Sequence, residues 1–182
     1  MLHGHDDEVT SVAASSELDV VVSGSRDGTV MLHSLRTGRY TRTISPPDGG
    51  PIRWVGVSAQ GRVLSYSLMD LMLHAWSING NHLGSCDTNE RLYAMRFSND
   101  GEFLLAGGDR KQLTVYDLCA PGGAPAAIHR LPPADATIRS IEMTQEEQHV
   151  LIGTATGKLY VYGLNADYLR KRFLKRLAHL GL

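Results

Sequence analysis

Residues 14–33, ASSELDVVVSGSRDGTVMLH, carry a pattern that returns three times along the chain. The stretch lies without a gap over Val57–Trp76 (VSAQGRVLSYSLMDLMLHAW), Phe97–Tyr116 (FSNDGEFLLAGGDRKQLTVY) and Met143–Tyr162 (MTQEEQHVLIGTATGKLYVY), at successive steps of 43, 40 and 46 residues. Self-similarity at such a period marks a repeat architecture with one supersecondary unit per repeat. The columns are strand columns. Ahead of each unit one position reads Val9, Ile52, Leu92, Ile138, and three residues on comes Val12, Val55, Met95, Ile141. Two further apolar segments follow in every repeat, such as DVVVSG and TVMLHSL in the first and EFLLAGG and LTVYDL in the third. Turns of the SAQG, SNDG and RDG type separate them, as short antiparallel strands require. A β-sandwich would show similar single segments, but not one 20-residue register four times over.

Outward from the repeats, 182 residues with 42% hydrophobic and 20% charged side chains suit a chain that buries a core. Two cysteines, Cys86 and Cys119, make no disulfide framework and point to a reducing compartment. The opening MLHGHDDE has no signal-peptide core, and no apolar run approaches a membrane span. These features lead to an expectation of a cytoplasmic protein. Five of the 18 basic residues (Arg170, Lys171, Arg172, Lys175, Arg176) lie in the last 15 residues, leaving a body with 13 basic and 19 acidic side chains. Such a body is unsuited to general nucleic-acid binding, which rests on neutralising phosphates.

His3-Gly4-His5 ahead of Val9, followed by SGSRDGTVMLHSLRTG, resembles the WD40 repeat. That signature runs from a Gly-His pair to a Trp-Asp pair, with a period of about 40–45 residues. The resemblance implies an all-β, WD40-type β-propeller with four consecutive blades visible, part of a seven-bladed ring closed by a strand from elsewhere. The repeats divide as 1–44, 45–86, 87–131 and 132–167, with a basic tail over 168–182. Taken alone, four such blades would expose faces and edges that a closed ring covers. The phrases LHGHDDEVTSVAASSELDVVVSGSRDG, AWSINGNHLGS, FSNDGEFLLAGGD and IGTATGKLYVYGLNADY are, more narrowly, similar to the C-terminal repeats of neurobeachin-like BEACH-domain proteins, large scaffolds of vesicle traffic. This implies a non-catalytic protein-binding module in membrane trafficking, with an adaptor of another complex, such as a ubiquitin-ligase substrate receptor, as the alternative.

The WD40 resemblance also implies a hydrogen-bonded set across the blade: His5, Ser23 or Ser25, Asp27 and, where the family has Trp, His33. A Ser, a His and an Asp could suggest a hydrolase, but that chemistry needs a nucleophile in a pocket beside an oxyanion site, so the set reads as structural. Asp27 is replaced by Asp70, Arg110 and Thr156 in the later repeats, of which only Asp70 could still serve such a set. The eight histidines are scattered and show no metal-ligand spacing, and Gly49-Gly50 and Gly122-Gly123 lack a phosphate-loop context, so neither metal nor cofactor is expected. For partners, the column after the first apolar position reads Thr10, Arg53, Tyr93, Arg139. Arg and Tyr are enriched at interface hot spots, and the resemblance opens this end of the strand onto the binding rim, which makes Arg53, Tyr93 and Arg139 candidate contacts. The tail reads either as the outer strand of the last blade or as a basic amphipathic helix, spaced on Leu169, Phe173, Leu177 and Leu180, suited to peripheral contact with an anionic membrane.

Overall fold

The computed structural model describes residues 4–47 and 49–163. Its secondary structure there is strand and turn, arranged as four antiparallel sheets in chain order. The first blade is β1 (Val9–Ser15), β2 (Val20–Ser25), β3 (Val30–Ser34) and β4 (Tyr40–Ile44). The second is β5 (Ile52–Val57), β6 (Arg62–Ser67), β7 (Met72–Ser77) and β8 (His82–Asp87). The third is β9 (Leu92–Phe97), β10 (Phe103–Gly108), β11 (Leu113–Asp117) and β12 (Ala126–Arg130). The fourth holds β13 (Ile138–Met143), β14 (His149–Thr154) and β15 (Leu159–Gly163) among the described residues. Each blade is a meander, and β1 packs on β5 and β9 on β13 across the blades.

The middle strands are apolar on both faces because each interior blade is covered on both sides. Phe103–Gly108 is buried at every residue, whereas alternation survives in strands of the fourth blade such as His149–Thr154. The core is three seams, one between each pair of neighbouring blades. Val22, Val30 and Leu32 meet Ile52, Val55 and Trp76 in the first. Leu64, Leu73 and Ala75 meet Leu92 and Leu104 in the second, and Leu113 and Val115 meet Ile138 and Ile141 in the third. A leucine such as Leu104, fully buried, contributes about 1.5–3 kcal/mol through desolvation.

Strand pairing revises the gap-free alignment in one blade. Val12, Met95 and Ile141 pair with Ser23, Ala106 and Ile152, as the alignment demands, but Val55 pairs with Ser65, not with Tyr66. The second blade has lost one residue from its first turn and gained one in its second. The two changes cancel over the whole unit and are therefore invisible to a gapless comparison. Their effect is to put Tyr66 where the other blades have Gly24, Gly107 and Gly153. At the first seam a Cβ on Gly24 would lie 2.6 Å from Ile52 Cγ2 and 2.6 Å from Val55 Cγ1, and at the third one on Gly107 would lie 2.8 Å from Ile138 Cδ1. At the second seam the fully buried Tyr66 spaces the blades, its hydroxyl donating to Glu90 O (2.8 Å) and accepting from Leu92 N (3.1 Å). Trp54 and Phe97, ring centroids 5.8 Å apart, fill the space beside it.

Candidate functional site

The loop entering β1 meets the β2–β3 turn through His5. Its Nδ1 lies 3.1 Å from Asp27 Oδ2 and 3.1 Å from Thr29 Oγ1, and its Nε2 lies 2.9 Å from Ser23 Oγ. A carboxylate only accepts, so the Nδ1 proton satisfies Asp27 and the Ser23 hydroxyl donates to Nε2. Asp27 also accepts from Asp6 N (2.9 Å), Thr29 N (2.8 Å) and Thr29 Oγ1 (2.6 Å). Partial burial works to raise its pKa, but the bonds from Thr29, Asp6 and His5 outweigh it and hold the carboxyl at about 2. Ser25 joins separately, donating to Asp7 O and accepting from Asp27 N. His33, expected as the fourth member, stands outside the set. Neither of its buried ring nitrogens has a hydrogen-bond partner, and its ring meets Tyr40 edge-on at 5.8 Å. The imidazole is shorter than the indole that the family has there. Trp76, at the matching place in the second blade, does reach across, donating from Nε1 to Ser65 Oγ at 3.2 Å.

The third and fourth blades keep the loop-to-turn tie by other means, which the sequence columns conceal. In the third, the carboxylate sits on the loop: Glu90 Oε2 accepts from Arg110 N at 3.2 Å. Burial pushes the Glu90 carboxyl up, with Arg110 N–H drawing it partly back. In the fourth, Asp135 on the loop accepts from Thr156 Oγ1 (2.8 Å) and from Lys158 Nζ (2.9 Å), and these bonds hold its carboxyl well below the usual range. Asp70 in the second blade accepts from its own turn at Met72 N, 2.9 Å. The missed residues are Glu90 and Asp135. An acid two or three residues before each first strand was the available signal.

The Ser23–His5–Asp27 order is that of a hydrolase relay, but its surroundings differ. Ser23 lies inside β2, with β1 paired on one side and β3 on the other. The backbone N–H groups around it are thus engaged in ladders, away from any position that could serve an oxyanion. Among the described residues no three His, Cys, Asp or Glu side chains converge to hold a metal.

The candidate contact column proves to be a column of bulges. Every inner strand slips register at one place, between Val9 and Ser11, Ile52 and Trp54, Leu92 and Ala94, and Ile138 and Ser140. The residue without a ladder partner is Thr10, Arg53, Tyr93 or Arg139. Such bulges re-aim a side chain. Val9 and Val12 share a face although three residues apart, and that odd spacing is the bulge written in the sequence. Arg53 and Arg139 are exposed and Tyr93 half-buried. The Arg139 guanidinium lies over the Tyr93 ring, 4.4 Å from its centroid, joining two members of the column. Thr10 points into the first seam instead, donating to Ile52 O at 2.5 Å. Arg170, Lys171, Arg172, Lys175 and Arg176 lie outside the described residues.

Repeated four-stranded meanders, packed face to face around their first strands, define a β-propeller of the WD type. The same unit is found in solved structures. The chain superposes on the computationally designed Ika4 protein with a TM-score of 0.74 and 20% identity, covering 91% of this chain and 96% of that one. On the designed Ika8 protein the TM-score is 0.72 at 21% identity, covering 90% of this chain and 48% of that one. The neurobeachin beta propeller domain matches residues 1–172, and the chain belongs to that family. It is 40% identical to BEACH domain-containing protein B of Arabidopsis thaliana over 94% of this chain and 6% of that protein. The chain spans less than a tenth of the length of the curated relatives it matches. No helix among the described residues is long and apolar enough to cross a membrane.

Proposed function

We propose that this chain is a non-catalytic protein-binding module in a BEACH-type scaffold of membrane traffic, cytoplasmic and peripheral to endomembranes, with its contact rim at Arg53, Tyr93 and Arg139. The observation that carries the reading is the recurrence of a bulge at one strand position in all four blades. A bulged residue is held by a rigid sheet yet is free of the ladder, which suits it to meet a partner. Arg and Tyr there supply the side chains that dominate interface energetics. The relatives supply the setting, since BEACH proteins carry this propeller. The His5–Asp27 set holds the blade together and has no substrate role in this reading. The test is the triple change Arg53→Ala, Tyr93→Ala, Arg139→Ala in the full-length protein, with partner pull-down and a melting curve. Loss of partners at an unchanged Tm is expected. Retained partners, or a fall in Tm that accounts for their loss, would remove these residues from the rim.

A further inference from the structure

Blade 3 is packed between blades 2 and 4, so what its rim exposes does not depend on an end face of the chain. Three backbone contacts gather that rim. Asp109 N donates to Arg91 O at 3.1 Å, Arg110 N to Glu90 Oε2 at 3.2 Å, and Lys111 O accepts from Ala134 N at 2.7 Å. The loop into β9, the β10–β11 turn and the loop into β13 therefore meet, and Arg91, Arg110 and Lys111 are all exposed there. The ion pairs among the described residues engage His5, Arg26, Arg36, Arg96 and Lys158, and none of these three. Beside them the Arg139 guanidinium lies over the Tyr93 ring, a stack that occupies its face and leaves its N–H edge open. The neighbouring carboxylates are already engaged: Asp87 accepts from Asn89 N at 2.7 Å, Glu90 is buried, and Asp135 is bonded to Thr156 and Lys158. Asp109 is the open acid of the group.

Blade 1 carries the reverse charges at the same places. Glu8 stands where blade 3 has Arg91 and Asp27 where it has Arg110, with Asp6 and Asp7 alongside. The turns at the opposite ends of the strands in blades 3 and 4 are acidic too, holding Asp100, Glu102, Glu146 and Glu147. The basic rim is therefore a local feature. Its lysine is also not called for by the fold. Gly28, Leu71, Lys111 and Gly157 share one turn position, and all have positive φ, of 83°, 58°, 64° and 79°. Glycine takes that conformation most readily, so the turn itself gives no reason for a lysine.

We propose that this rim binds an acidic segment of a partner protein, with carboxylates lying across Arg91, Arg110, Lys111 and the N–H edge of Arg139. The assignment rests on the reading of Arg53, Tyr93 and Arg139 as the contact rim and adds the chemistry of the partner. Guanidinium and ammonium groups meet carboxylates through charge-assisted hydrogen bonds, and a patch of one sign steers a segment of the other towards it. A short segment suits the molecule better than a membrane or a nucleic acid, because a broad anionic surface resting on this rim would also meet Asp6, Asp7 and Glu8.

The test uses the full-length protein and fluorescence anisotropy of labelled octa-glutamate, with octa-glutamine beside it. Octa-glutamate should bind, octa-glutamine should not, and added salt should weaken the binding. The triple change Arg91→Gln, Arg110→Gln, Lys111→Gly should weaken it about tenfold at an unchanged Tm, and should release the partners in a pull-down. Lys111→Gly alone should weaken it less, while Tm holds or rises because the turn suits glycine. If the triple variant lowers Tm, Lys111→Gly alone decides, and an unchanged affinity there overturns the proposal. Failure of octa-glutamate to bind, equal binding of octa-glutamine, or an unchanged affinity in the triple variant would each overturn it as well. So would binding to phosphatidylserine vesicles, in place of the peptide, that the triple variant loses. Partners kept by this variant but lost when Arg53, Tyr93 and Arg139 become alanine would remove the acidic segment and leave the contact rim standing, whereas partners kept by both would remove both.

Discussion

The seam between the first two blades and the seam between the second and third use the same strand positions and are filled by opposite means. At the first, Gly24 lets Ile52 and Val55 approach the β2 backbone, and Ser11 Oγ accepts from Val55 N at 3.1 Å. At the second, Tyr66 stands in the glycine's place and Trp54 in the serine's, with Phe97 packed against them. The sheets are alike and the spacing between them is not. A propeller therefore tolerates a change of seam width when several side chains change together, and this limits what any one of them can do alone.

Breaking the wide seam should have the largest effect. Tyr66→Ala removes a fully buried ring and should lower stability by about 3–5 kcal/mol in chemical denaturation. Tyr66→Phe keeps the packing but leaves Leu92 N without its partner, while Glu90 O still accepts from Thr88 Oγ1 at 2.9 Å, and should cost about 1–3 kcal/mol. An effect of Tyr66→Ala no larger than that of Tyr66→Phe would show that the ring is not what holds the blades apart. Breaking the narrow seam comes next: Gly24→Val forces a side chain onto Ile52 and Val55, for a loss of about 1–3 kcal/mol. The same substitution at Gly153 meets the Ser140 hydroxyl, the end of a side chain that can rotate away, and should cost less.

Two carboxylates in the same loop-to-turn tie sharpen the comparison at smaller amplitude. Asp27→Ala should lower stability by about 1–3 kcal/mol at neutral pH, read as a fall in Tm. Because the folded pKa of Asp27 is depressed from 3.8 to about 2, its stabilisation is present above pH 4 and disappears as pH falls through 2. The gap between wild type and variant should close over that window. Glu90 is shifted the opposite way, so its charged form opposes folding at neutral pH and protonation relieves it. Glu90→Gln keeps an acceptor for Arg110 N and should leave Tm equal or slightly raised, and a clear fall would show that the charge itself is needed.

The repeat, its period and its strand columns were legible because apolar residues recur wherever two blades meet, and that recurrence is a packing demand. The His5, Ser23 and Asp27 positions came from the WD40 resemblance, and the structure places them within bonding distance of one another. What was not legible followed from compensation. The paired one-residue changes in the second blade conceal Tyr66, and the carboxylate that moves from turn to loop in the third and fourth blades conceals Glu90 and Asp135. His33 was misplaced because residue type at a column does not carry reach: an imidazole at that site stops short of Ser23.

The bulges have a consequence for how this chain can change over time. At the positions flanking them, Val9, Ile52, Leu92 and Ile138 are all apolar, since each must fill a seam or an end face of the same shape. The bulged positions hold Thr, Arg, Tyr and Arg, which share no size, charge or hydrophobicity. A residue that no ladder bond depends on can be exchanged without shifting the register of its sheet. Arg53, Tyr93 and Arg139 are thus sites where mutation is cheap for folding and visible from outside, whereas Thr10 is tied to Ile52 O across the first seam, so three of the four sites can diversify while the framework stays fixed.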